Sequence, residues 1–446
     1  HYLPVPGERA TEVIELLEAL GLRRSVAGQP VYDERHLCAS PQERLNIGGH
    51  WVEGLLPPIA ALPMDQQAAT LAQYRQFAAL IERAMQRGAF AIPTARSSWS
   101  PALDALDAVA FAPWLDARGL NAPALRWYLD YCCRDDYGAG AAQVSAWAGV
   151  HYFASRHGFR APGDRASSGA DAAADRDGVL TWPEGNAWLS RRLAEPLGER
   201  LHTGLVALRV TENRGDVDVD LWNAATQRHE RWTAPQVILA LPLFIAARLV
   251  AAPPAALTQA AAAMRYAPWL VSNLHLNEPL TDHPGAELSW DNVVYDPGAA
   301  LPTLGYVDAM HQSTRRLPGP TVLTAYWALG GDSSAQLAAQ RRRLLSEPWS
   351  AWSQAVVADL ARVHPDLPGK VRQVDLMRYG HAMSIPVPGL RSSAALRALA
   401  EPQRRIQFAH ADLSGYSVFE EAMYHGVRAA RSLLPLPEGE GKKRVR

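Results

Sequence analysis

The chain has 446 residues, 48% hydrophobic and 20% charged, which exceeds one ordinary core and points to two or three globular domains. Its 44 Lys and Arg nearly cancel its 45 Asp and Glu, so no net field favours nucleic acid or an anionic membrane, and the expected partner is a small molecule. No apolar run approaches the roughly 20 residues of a bilayer span, and Cys38, Cys132 and Cys133 read as buried thiols, not a disulfide framework.

In chain order, TEVIELLEALGL (Thr11 to Leu22) has helical apolar spacing after a Thr cap and ends near Gly21. Asp65 to Arg87 reads as a longer helix, and Pro123 to Gly158 as a helical pair broken around YGAGA. Residues 163–178, small and Gly-punctuated, read as a mobile loop. Beyond it come the helix NAWLSRRLAEPLG, alternating hairpin strands LVALRVTE and DVDVDLWN, and PQVILALPL, an apolar run that fits a buried strand of a parallel sheet. Strands are expected at WLVSNLHL, WDNVVY, TLGYVDA, TVLTAYWAL and VRQVDLMRYG, with one long helix, EPWSAWSQAVVADLARVH, among them. The described order closes with the strand IQFAHA, the helix VFEEAMYHGVRAARSLL and a solvated tail over 435–446.

Three stretches, in order, carry a resemblance. HYLPVPGERATEVIELLEALGL, the LTWPEGNAWLSRRLAEPLG…APQVILALPL region and FAHADLSGYSVFEEAMYHGVRAAR together resemble the flavin-containing amine oxidases, the superfamily of monoamine oxidase and phytoene desaturase-like enzymes. WDNVVYD…LGYVDAMHQ and RYGHAM…PVPG are similar to a bacterial subgroup of FAD-dependent oxidoreductases. The resemblance implies a two-domain α/β fold with an α+β substrate domain. The FAD-binding domain would be discontinuous over 1–50, 179–249 and 394–434, and the substrate domain would occupy 51–162 and 250–393.

It also implies non-covalent FAD, because no Cys falls in RYGHAMSIPVPG, where monoamine oxidase carries one. Cofactor contacts are expected from Tyr2, Val206, His410, Asp412, Ser414, Gly415, Tyr416, Ser417, Val418 and Phe419. By analogy Asp412 accepts from a ribityl hydroxyl and the Tyr416 to Phe419 backbone faces the isoalloxazine ring. Read locally, a strand, a short turn and a helix amino end also suit pyrophosphate or a reduced flavin, while Asp412 and Ser414 could instead simply cap the helix. His381 is the catalytic candidate beside the flavin, or a structural histidine at a strand end. Trp290, Asn292, His311 and Gln312 are the substrate candidates.

The implied reaction moves a hydride from a small organic substrate, an amine or unsaturated compound, to flavin N5, with oxygen or another acceptor reoxidising the flavin. Only Lys370, Lys442 and Lys443 are lysines, so the family's lysine near N5 has no ready counterpart. The family opens with G-x-G-x-x-G after a strand, and here GAGAAQ at Gly138 to Gln143 lies between helices without a preceding strand. The chain begins at His1, so the expectation is an N-terminally truncated enzyme whose complete form binds FAD and which alone binds it poorly. The alternative is a flavin-less relative serving as a binding or scaffold subunit. No metal spacing, hydrolase elbow or P-loop is present, and the cytoplasm is the default compartment.

Overall fold

The computed structural model describes residues 2–156, 158–163, 178–182, 184–281, 283–298, 303–313, 315, 317–402 and 404–433. The loop expected at 163–178, except for its two end residues, and the tail expected at 435–446 lie outside them. The fold is mixed, and the chain divides into two compact units, one of residues 1–193 and 265–392, the other of residues 194–264 and 393–446.

The first unit is organised by a seven-stranded mixed sheet. From edge to edge its strands are Val371–Ser384, Tyr266–Leu276, Thr321–Ala328, Thr303–Asp308, Asp291–Val294, Glu43–Ile47 and His50–Glu53. All neighbours are antiparallel except Asp291–Val294 and Glu43–Ile47, which run parallel with Asp291 beside Glu43 and Asn292 beside Arg44. Side chains alternate between faces along a strand, so this register sorts the whole sheet. One face presents Leu270, Leu274, Tyr306, Leu323, Ala325 and Trp327, which form a core with Trp352, Val356 and Leu360 of the Trp349–Ala361 helix. The opposite face carries Glu43, Asp291, Val307, Thr324 and Tyr326, by the same pairings.

Gly305 permits a close passage in this sheet. Its φ is +87°, and an added Cβ would lie 2.1 Å from the Asn292 carbonyl oxygen, so the irregular register between Thr303 and Tyr306 needs glycine. The sequence placed one long helix among these strands. Two are found, Ser334–Ser346 and Trp349–Ala361, because Glu347 and Pro348 are extended and Pro cannot continue the first helix. Ser333 caps the first of them by accepting from the Gln336 N–H at 3.2 Å.

Helices pack elsewhere in the same unit. Met64–Gln86 buries Thr70, Tyr74, Phe77 and Ile81 at helical spacing, with Phe77 edge-on to Phe153 at 5.3 Å. Pro123–Tyr137 starts on a Pro at its first turn and ends at Gly138, whose φ of +71° closes it as a left-handed cap. GAGAAQ is therefore the join to the Ala146–Ala154 helix. The first helix begins at Thr11 itself, and Ala10 holds the cap position without a side-chain bond, so Thr11 is not its cap.

The second unit contains an antiparallel meander, Leu205–Glu212, Val217–Asn223 and Arg228–Ala234, and a parallel pair, Val237–Leu239 with Ile406–Phe408. The apolar run PQVILALPL supplies a strand in a parallel pair, though of Val237–Leu239 only Leu239 is fully buried. The helices Leu243–Leu249, Ala255–Ala263, Ala394–Ala400 and Phe419–Leu433 belong to the same unit.

Arg44 Nε donates to Asn292 Oδ1 at 2.6 Å, and both residues are buried. Asn292→Ala strips a buried guanidinium of this acceptor and is expected to cost about 2–3 kcal/mol, measured as a lower urea midpoint at unchanged slope.

Candidate functional site

Unit by unit, the chemistry falls into two groups. In the second unit, the Ile406–Phe408 strand is followed by a tight turn at Ala411–Ser414 and by Gly415 at φ +85°, ahead of the 15-residue Phe419–Leu433 helix. His410 opens the turn, its Nδ1 accepting from the Asp412 N–H at 3.1 Å. Asp412 is fully buried, and its Oδ2 accepts from the Leu243 N–H at 2.9 Å, so it caps the Leu243–Leu249 helix. Ser414 Oγ donates to the Glu421 carboxylate and lies 2.8 Å from His425 Nε2. Tyr416 donates to the other Glu421 oxygen at 2.9 Å. Ser417, Val418 and Phe419 are half-buried, immediately before and at the helix start. Val206 lies apart on the meander and is 53% exposed.

This network pins the turn to the first two turns of the helix, through Glu421 and His425. The backbone N–H groups of the first helical turn have no acceptor within the helix and point forward with the positive end of its dipole. Such a donor set fits the electron-rich ring edge or the phosphates of a flavin nucleotide.

In the first unit, Tyr128, Tyr131, Cys132 and Asp135 share one stripe of the Pro123–Tyr137 helix, at i, i+3, i+4 and i+7. Tyr131 donates to the Leu304 carbonyl at 3.4 Å, which brings this stripe to the sheet face that bears Asp291 and Glu43. Trp127 stacks on Tyr131 at 5.6 Å and meets the edge of Tyr295 at 4.8 Å. Burial pushes the Asp135 carboxyl up from 3.8 to about 7, with the charges of Asp136 and Glu43 adding to it. Burial also pushes Asp291 well above the usual carboxylate range, helped by Asp135 and Glu43. Tyr2, paired with Thr181, is 40% exposed, yet its hydroxyl is pushed well up, first by the Asp135 charge, then by burial and by Asp291. Tyr326 is raised by burial, then by Asp291 and Asp135. Asp135 and Asp291, both half-buried, and the exposed Glu43 thus form one electrostatically coupled group with these phenols. Among the described residues Asp135 makes no side-chain hydrogen bond or ion pair, while its neighbour Asp136 pairs with Arg156 at 3.0 Å.

The substrate candidates read from sequence divide. Trp290 packs with Cys38 and Val307, and Gln312 Nε2 donates to Cys38 Sγ at 3.2 Å and to His311 Nδ1 at 2.8 Å, so these three residues gather beside Asp291. Burial lowers the His311 imidazole and keeps it neutral. Asn292 turns to the other face, where its Nδ2 donates to Ser289 and Tyr306 carbonyls at 3.0 and 3.3 Å. His381 lies exposed on the edge strand, edge-on to Tyr266 at 5.9 Å. Sequence reasoning missed Glu43, Asp135, Asp291, Glu421 and His425. The one legible signal was the helical stripe ending in Asp135.

The chain belongs to the flavin-containing amine oxidoreductase family, whose profile matches residues 4–434, and the cofactor this implies is FAD. Similar solved structures include cyclohexylamine oxidase from Brevibacterium oxydans IH-35A, at 17% identity and a TM-score of 0.64 over 97% of this chain and 86% of that one. Putrescine oxidase bound to putrescine matches at 17% identity and 0.62, over 96% and 86% of the two chains. A fatty acid isomerase of P. acnes matches at 12% identity and 0.62, over 96% and 86%. No curated protein matches the chain.

The raised Asp135 pKa links to stability. The folded chain keeps this proton up to about pH 7, whereas the unfolded chain releases it near 3.8, so stability falls as pH rises between these values. Asp135→Asn removes that loss. The variant is expected to be more stable than the parent at pH 8, by about 1–3 kcal/mol, and nearly equal to it at pH 4, as read by urea unfolding at both.

Glu421→Ala leaves the buried Ser414 and Tyr416 hydroxyls without their shared acceptor. FAD affinity is expected to fall roughly tenfold or more, measured by flavin fluorescence quenching.

Proposed function

We propose that the protein oxidises a small amine, taking hydride from a carbon next to nitrogen, with oxygen or another acceptor receiving the electrons. The observation that carries this reading is the cluster in which the charges of Asp135, Asp291 and Glu43 between them reach the hydroxyls of Tyr2, Tyr128, Tyr131 and Tyr326. Carboxylates and ring faces both attract an ammonium group. The same acids repel a carboxylate, which counts against a fatty acid.

FAD, when bound, supplies the hydride acceptor. Its contacts would come from the turn between His410 and Phe419, where the helix amino end offers N–H groups and the Glu421 network holds the backbone still. Tyr2 and Val206 remain assigned to the cofactor by the family resemblance, and the discontinuous cofactor domain is part of the same proposal. Asp291 and Glu43 would hold the ammonium end of the substrate. Asp135, with its pKa near 7, is suited to take the proton that an ammonium must lose before its neighbouring carbon can give up hydride. This offers a route in a chain whose Lys370 is already bonded to Asp366 at 2.8 Å. Trp290, His311 and Gln312 would bound the cluster at the Cys38 end.

The test is anaerobic bleaching of the flavin-loaded protein by a panel of monoamines, diamines and unsaturated fatty acids, followed by steady-state kinetics. Bleaching by amines is expected, with kcat/KM rising as pH passes through about 7 as Asp135 ionises. Asp291→Asn should lower kcat/KM roughly 10- to 100-fold, mostly through KM. Bleaching by a fatty acid and by no amine overturns the reading.

A further inference from the structure

On the face of the large sheet opposite Asp291, three side chains form a cluster that the oxidoreductase reading does not use. His283 lies in the connection after the Tyr266–Leu276 strand, and His364 and Asp366 follow the Trp349–Ala361 helix. One ligand atom from each lies within 4.8 Å of the others. We propose that His283, His364 and Asp366 bind a zinc ion, with water completing a tetrahedral shell, and that the ion ties these two connections together.

Two features of the cluster argue for a ligand. His364 is 2% exposed, and its Nδ1 is buried with no hydrogen-bond partner among the described residues. Its other nitrogen, Nε2, lies 2.6 Å from the Tyr306 hydroxyl. A metal-ligating imidazole is characteristically oriented in this way, with one nitrogen on a fixed outer partner and the other facing the ion. Trp51 stacks on the ring with centroids 5.9 Å apart, which further limits its rotation.

The carboxylate is arranged likewise. Asp366 Oδ2 accepts from the Thr281 N–H at 2.7 Å and the Lys370 ammonium at 2.8 Å, whereas its Oδ1 is buried with no hydrogen-bond partner among the described residues.

Zinc takes nitrogen and carboxylate ligands at about 2.0–2.2 Å, so tetrahedral ligand atoms sit about 3.4 Å apart. Closing from the present spacing asks for at most about 1.4 Å of movement. His283 is half-buried in a connection and can supply it, while His364 stays fixed. Two histidines, one carboxylate and an open position match zinc better than calcium or magnesium, which prefer all-oxygen shells.

The experiment uses the full chain after exhaustive dialysis against a chelator, titrated with Zn2+ in competition with a chromophoric chelator. One equivalent is expected to bind and to raise the Tm, and Co2+ should give the intense visible absorption of a four-coordinate site. His283→Gln and Asp366→Asn should each weaken binding at least tenfold and abolish the Tm shift, with far-UV circular dichroism confirming that they fold. Tyr306→Phe, which removes only the outer partner, should weaken binding by roughly tenfold. Absence of a stoichiometric site, or variants that bind zinc as the parent does, overturns the proposal. Neither result bears on amine oxidation, because the readout involves no flavin.

Discussion

The hydrogen bond from Arg44 to Asn292 joins residues 248 positions apart and locks the one parallel pairing of the large sheet. A slip of one residue there would exchange the two faces of the Asp291–Val294 strand. Asp291 would then enter the dry core around Trp327 and Trp352, and Asn292 would face the carboxylates. Arg44 is well suited to prevent this. Its guanidinium lies 4.2 Å from the Trp51 ring centroid and also donates to the Ala286 carbonyl at 3.2 Å. A buried cation held on three sides fixes register more firmly than apolar packing, because any slip leaves it without acceptors.

With register fixed, the acid-bearing face of the sheet acquires its electrostatics at a cost. Asp135 and Asp291 are raised first by burial and further by neighbouring acids, Glu43 among them, so keeping both near one another lowers stability at high pH. The neighbouring Asp136 shows the alternative, since Arg156 pairs with it directly. Adjacent aspartates on one helix thus have opposite characters, set by which side of the helix they occupy.

Much of the framework was legible beforehand. The closing strand, turn and helix were readable because their order depends on local chemistry: an apolar strand, a Gly able to adopt positive φ, and a periodic helix. The apolar run at Val237 was readable for the same reason, and the resemblance of three segments in order pointed to the flavin-containing family that the profile match shows. The acid cluster was not legible, because Glu43, Asp135 and Asp291 come from three distant segments and meet only through sheet register and helix packing. Asn292 illustrates the limit from the other side. It sits beside Asp291 in sequence, but strand alternation sends the two side chains to opposite faces. The second helix at Ser334 escaped notice because its exposed face is arginine-rich and its buried face is reduced to Leu337 and Leu344.

The same alternation relates the acid cluster to the histidine cluster. Tyr306, which holds His364, pairs with Asn292, and its neighbour Val307 pairs with Asp291. The two sites therefore lie on opposite faces of adjacent strands, separated by one layer of backbone. A side-chain movement on one face cannot pass directly to the other through a packed sheet. What they share is the position of the strands themselves, held by Arg44 from one side and by the Tyr306 to His364 bond at its flank. An ion bound by the histidine cluster would consequently reach Glu43, Asp135 and Asp291 only through strand position and stability.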